Sequence, residues 1–261
     1  MNHTLSSALL FVIVSSFAAS LRAADPPLDA QRPIAALDTV FIEEMTWMEV
    51  RDAIASGKTT AIVATGGVEQ NGPYLATGKH NYILRATTQA IARRLGNALV
   101  APIVPFVPEG DIDPPTGHMA YPGTISVRES TFEALLTDLC DSLRAHGFKD
   151  VVLLGDSGGN QTGMRRVAEA LNARVDDKAR VHYIPEYYNY DEVAKWLERE
   201  GIQQVPEGLH DDFAITALLM TVDPGLVRMK ERGAAGKFSI NGVELAPAPK
   251  TIEWGKRIID F

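Results

Sequence analysis

Three polar turns carry most of the side chains able to do chemistry. The first runs from Thr65 to His80 and holds Glu69, Asn71 and His80. The second, Gly155-Asp156-Ser157-Gly158-Gly159-Asn160-Gln161, offers Asp156, Ser157 and Asn160. The third, Glu207 to Asp212, offers His210, Asp211 and Asp212. Carboxylates and imidazoles arriving from separate turns suit a divalent metal such as Zn²⁺ or Mn²⁺. A metal of that kind lowers the pKa of bound water and polarises a carbonyl oxygen. No compact signature such as HExxH is present, so other roles stay open. Glu69 could pair with Lys79 or an arginine, and Asp156 could hold its turn by an Asx hydrogen bond. Asp211 and Asp212 could simply face the positive end of a helix dipole, with His210 as their hydrogen-bond partner. Ser157 lacks the GxSxG spacing of a nucleophile elbow, which makes a serine hydrolase a minor reading.

The elements that must position these turns are strands and helices in alternation. Thr60–Ala64 is an unbroken apolar run of strand length, and Ile83–Leu95 has helical spacing at Ile83, Leu84, Ala90, Ile91 and Leu95. Further strands are expected at 97–104, 150–154 and 180–185. Helices are expected at 41–54, 128–146, 162–171, 187–200, 213–222 and 252–259, with a hairpin at 236–243. Ser126 is a plausible cap and Gly147 a plausible stop for the helix from Arg128. Such alternation predicts an α/β fold with a parallel sheet covered on both faces. Ligands then bind beyond the carboxyl ends of the strands, where the turns lie. The stretch 105–123 is long, proline-rich and irregular, and contains Glu109, Asp111, Asp113, His118 and Tyr121. Tyr187, Tyr188 and Tyr190 could line a pocket or merely pack.

Composition bounds the rest. The 261 residues are 46% hydrophobic and 22% charged, an ordinary globular mix for one sizeable core. A net charge of -8 argues against a nucleic-acid partner. The one cysteine, Cys140, sits in a helical pattern and excludes an internal disulfide framework. Residues 1–23 read as a secretory signal peptide, with an apolar run from Ala8 to Val14 and small residues at Ala23 and Ala24. Residues 24–261 would then be a single exported domain, periplasmic or secreted. No later stretch is long and apolar enough to cross a bilayer.

Taken together, the turns resemble the creatininase (creatinine amidohydrolase) family, over roughly Thr60 to Val222. Gly67-Val68-Glu69-Gln70-Asn71-Gly72-Pro73-Tyr74-Leu75 resembles the family's G-x-x-E-Q-H-G-P-H-L, and Gly78-Lys79-His80 stands at its G-T-D. Gly117-His118-Met119-Ala120-Tyr121-Pro122-Gly123-Thr124-Ile125-Ser126 is similar to G-H-M-x-F-P-G-T-I-S, and Gly155–Asn160 to N-G-H-G-G-N. The resemblance implies a three-layer α/β sandwich around a mainly parallel sheet, often assembled as a hexamer. It also implies a two-metal site that hydrolyses C–N bonds of cyclic or small amides. The ligands carry over only in part. Glu69 matches the family glutamate, but Asn71 stands for a histidine ligand, His80 for the bridging aspartate and Ser157 for a further histidine. Gly159 is no ligand where some relatives use a glutamate. His210 matches a histidine that acts in proton transfer.

The reading that follows is a homo-oligomeric, exported amide (C–N) hydrolase acting on a small molecule, with one Zn²⁺ or Mn²⁺ at a rearranged site. Glu69, His80, Asp156 and Asp212 are assigned as metal ligands, and His210 and Glu69 as catalytic. Asn71, His118, Tyr121, Ser157 and Asn160 are assigned to substrate binding. Metal-free acid/base catalysis by Glu69 with His80 or His210, and a non-catalytic small-ligand binder on the same scaffold, are the alternatives.

Overall fold

Thr60–Thr65 (β1) is buried at every position, which only an inner strand of a sheet covered on both sides requires. A computed structural model describes residues 25–174 and 179–261; the signal-peptide reading falls outside them. β1 pairs in parallel with Ala98–Val100 (β2) on one side and Asp150–Gly155 (β3) on the other, and β3 pairs in parallel with Arg180–Tyr183 (β4). The order β2-β1-β3-β4 puts a topological switch between β1 and β3. The turns leaving those two strands therefore diverge and open a crevice between them.

Strand side chains alternate between two layers. Val63, Val151, Leu153 and Val181 pack on Phe132, Leu136, Met164 and Leu171. These belong to helices Glu129–Ala145 (α3) and Asn160–Asn172 (α4). Ile62, Ala64 and Leu154 face Leu84 and Ala92 of Lys79–Leu95 (α2). The short helix Trp47–Ala55 (α1), opened by a Thr46/Glu49 capping box, covers Ala61 and Leu99. Cys140 is buried in the α3–α4 layer, and burial pushes its thiol up to about 12, so it is an inert core group.

A second apolar cluster forms around Phe213–Val222 (α6), buried on nearly all sides. Ala248–Asp260 (α8) crosses it so closely that a Cβ on Gly255 would lie 2.1 Å from the Ala217 carbonyl oxygen. Tyr190–Arg199 (α5), Met229–Ala234 (α7) and the hairpin of Ser239–Ile240 (β5) with Val243–Glu244 (β6) complete this layer. Residues up to Ala35 form a unit of their own, whose described part contains a turn closed by Ala30 N–H on the Pro27 carbonyl. Among the described residues no helix is long and apolar enough to cross a membrane.

Of the boundaries that differ from expectation, three bear on the site. α2 begins at Lys79, a turn before its apolar period, because Lys79 and His80 turn toward polar groups rather than the core; His80 is thus a helix residue, not a loop residue. Ser126 does not cap α3. Its hydroxyl donates to the Gly110 carbonyl (2.7 Å) and accepts from Glu109 N–H (3.0 Å), binding the long loop to itself. α5 starts at Tyr190, capped by Asn189, after a separate 3-10 turn at Pro185–Tyr187.

Candidate active site

Glu69 lies four residues beyond β1, in the turn before α2, and is buried. Asn71 builds that turn: its side-chain amide donates to the carbonyls of Glu69 and Ala76, both at 3.0 Å. Asn160 does the same between strands. Fully buried, it donates to the Thr65 carbonyl (3.0 Å), the Thr65 hydroxyl (3.0 Å) and the Gly66 carbonyl (2.8 Å), which locks the end of β1 to the start of α4.

Five polar side chains converge on Glu69. His80 Nε2 lies 2.7 Å from Glu69 Oε1, and His80 Nδ1 lies 2.7 Å from Oδ2 of Asp156, the first residue after β3. Tyr190 donates its hydroxyl to the other Asp156 oxygen. His210 Nε2 is 3.0 Å from Glu69 Oε1, His118 Nε2 is 3.2 Å from Oε2, and Lys79 Nζ is 3.5 Å from Oε1. The fifth group is Glu109, buried in the long loop, whose carboxyl feels the charge of Glu69.

The electrostatics follow from this packing. Burial opposes the charge on Glu69, but hydrogen bonds from His210 and His80 outweigh it and hold its carboxyl well below the usual range. Burial likewise opposes a charged His80, yet its bonds to Asp156 and Glu69 raise it to about 9, so the ring is an imidazolium at neutral pH. Glu109 goes the other way. Burial, then the neighbouring charge of Glu69, push it up to about 8, because two touching carboxyls cannot both ionise cheaply. Burial lowers His118, keeping it neutral and its ring nitrogen available as a donor.

Among the described residues, the one group placed to hold a metal ion is Glu69, His118 and His210, whose donor atoms lie within 4.8 Å of one another. A carboxylate with two imidazoles is a suitable set for Zn²⁺ or Mn²⁺ and leaves room for water and substrate. The two imidazole rings lie 4.5 Å apart between centroids, tilted by 55° to one another. His80 and Asp212, read from sequence as ligands, are placed otherwise. Both ring nitrogens of His80 are taken by carboxylates, and Asp212 accepts from Ile215 N–H (2.7 Å) as the N-cap of α6. Asp156 orients His80 rather than joining the donor group. Ser157 is buried ahead of α4, with its carbonyl accepting the Gln161 amide at 2.8 Å, and Tyr121 is exposed outside the cluster. Tyr187 and Tyr190 line a cavity of about 430 Å³ shared with Asp156, and the Tyr188 hydroxyl lies 3.4 Å from where a Cβ on Gly158 would stand.

The family model described as creatinine amidohydrolase matches residues 43–260. The chain belongs to the creatininase family. Among curated relatives, the creatinine amidohydrolase of Pseudomonas putida is 28% identical over 116 residues, which is 44% of each chain. The 3-dehydro-scyllo-inosose hydrolase of Thermotoga maritima is 24% identical over 119 residues, 46% of this chain and 36% of that one. The chain thus spans less than half the length of the curated relatives it matches. A solved creatininase structure matches the fold over 86% of this chain and 93% of its own, with a TM-score of 0.63 at 23% identity. Creatininase structures described as Zn-Zn type and as Mn match with TM-scores of 0.60 and 0.61, each at 21% identity.

Proposed function

We propose that this creatininase-family protein is a metal-assisted hydrolase of a C–N bond in a small cyclic or linear amide. The observation that carries the reading is the convergence of Glu69, His118 and His210 at the crevice beyond β1 and β3. Relatives named as hydrolases, and structures described with zinc or manganese, support the choice of reaction and ion. Glu69, His118 and His210 would hold one ion, which when bound would lower the pKa of a water and polarise the substrate carbonyl. His80, clamped by Asp156, keeps the Glu69 carboxylate charged and fixed in direction. Glu109, pushed up to about 8 by burial and the Glu69 charge, would hold a proton at neutral pH and deliver it to a departing nitrogen. That places proton delivery on Glu109, with His210 as a ligand rather than the acid/base group expected from sequence.

A metal-free reading has one observation in its favour: Lys79 and protonated His80 already supply Glu69 with positive charge. A screen of lactams, cyclic ureas and formamides, with and without chelator, separates the two. Turnover that needs Zn²⁺ or Mn²⁺ and is lost in Glu69→Gln supports the metal form. Turnover that survives exhaustive chelation overturns it, and no turnover on any compound favours a binding role. Export belongs to the same reading, supported by the apolar amino-terminal run. Mass spectrometry of the protein expressed with its full chain should find a mature start near residue 24, and an uncleaved chain would refute processing. A homo-oligomer, supported by family membership alone, is tested by light scattering, where a monomer would count against it.

A further inference from the structure

We infer that Arg232 is a positioning residue that sets the spacing between the turn carrying Glu69 and the segment carrying His210; this rests on the site assignment above. Arg232 sits on α7 and is only 2% exposed, one of the largest fully buried side chains described. Two pieces of chain meet on its guanidinium, and the charge of a third acts on it. From the Glu69 turn comes Tyr74, whose ring lies 3.9 Å below Cζ. From the hairpin come the carbonyls of Ser239 and Lys237, which accept from Nη1 at 3.2 and 3.4 Å. From the His210 segment come the charges of Asp211 and Glu207, which act on the guanidinium against the cost of its burial.

The connections continue outward to both catalytic groups. Asp211 follows His210 directly and packs on Gly72 of the Glu69 turn, its carboxylate 3.6 Å from where a Gly72 Cβ would stand. Asn241 of the same hairpin grips the His210 segment, its carbonyl accepting from Val205 N–H (2.8 Å) and its side chain from Glu207 N–H (3.1 Å). Arg232 Nε and Nη2, and both oxygens of Asp211, make no hydrogen bond among the described residues. The hairpin therefore joins the two: it accepts from Arg232 at Ser239 and holds the His210 segment through Asn241. A flat guanidinium can lie on a ring and donate in its own plane at once, which a lysine ammonium cannot. Arg232 touches neither donor atom of the site, so its effect passes through Tyr74 and the hairpin.

The test is the Arg232→Lys protein, which keeps charge and loses stacking. Imidazole ¹⁵N resonances of the metal-free protein are recorded, with His210 assigned by its loss in His210→Gln. The expected result is a displaced His210 signal beside an unmoved His146 signal, with zinc affinity lowered about tenfold, roughly 1.4 kcal/mol. If Arg232→Lys does not fold, Tyr74→Leu removes the stacking plane alone and should give the same pattern. A folded variant with wild-type His210 resonances overturns the positioning role, whatever its melting temperature. Wild-type protein that binds no zinc, with the His210 shift still present in the variant, overturns the site assignment but not the role of Arg232.

Discussion

Glu69 accepts from more partners than a structural carboxylate needs, and the consequence is a pH dependence of stability. His80 has an ordinary value of 6.5 and sits at about 9 in the folded chain. The folded state therefore holds that proton more tightly. Its stabilisation is complete below pH 6.5 and is lost as pH rises through about 9. Glu109, raised from 4.5 to about 8, has the same sign over a lower window. Glu69 is lowered, so its contribution is present above 4.5 and is lost as pH falls. Metal-free protein should melt highest at about pH 4.5 and lose stability steadily toward pH 9. In His80→Gln the loss between pH 7 and 9 should shrink; calorimetry that finds the same alkaline slope in both proteins would remove His80 from this role. Of these residues Glu69, His80, Asp156 and His210 were legible in the sequence, because each stands in a polar turn beside a strand or helix end. Glu109 stands out only among the residues of the long loop, and Lys79 only as a possible partner of Glu69, which it is; neither is assigned to the site from sequence. One lies in a loop whose course no periodicity encodes, and the other opens a helix whose first turn faces away from the core.

At the scale of elements, the same rule explains what was legible and what was not. β1 and α6 were read closely because full burial makes their apolar runs continuous. The starts of α2, α4 and α5 were misplaced by two to four residues, since their first turns carry Lys79, Asn160 and Tyr190, side chains spent on polar contacts. The close crossing of α6 and α8 was not legible, because a glycine in a helical pattern signals a contact without naming its partner. Gly255→Ala puts a methyl against the Ala217 carbonyl, and nothing there is flexible. It should destabilise the fold by about 1–3 kcal/mol, read as a lower urea midpoint. A neutral or stabilising effect would mean the helices are free to part. Because α6 begins at Phe213, capped by Asp212 directly after the His210 segment, that variant should also loosen the site.

At the scale of the whole molecule, the fold is that of the creatininase family. The parallel sheet delivers Glu69 and Asp156 to neighbouring strand ends, and the long loop and the α6 approach bring His118 and His210 over them. Asn71 builds its turn through its side-chain amide, and His80 bridges Glu69 and Asp156. The group placed to hold an ion is one carboxylate and two imidazoles. The most direct test is elemental analysis of the purified wild-type and Glu69→Gln proteins after equilibration with Zn²⁺ or Mn²⁺. The account predicts about one ion per chain in the wild type and under about a tenth in Glu69→Gln. A wild-type chain with less than about a tenth of an equivalent, or a Glu69→Gln chain that keeps its ion, would contradict it.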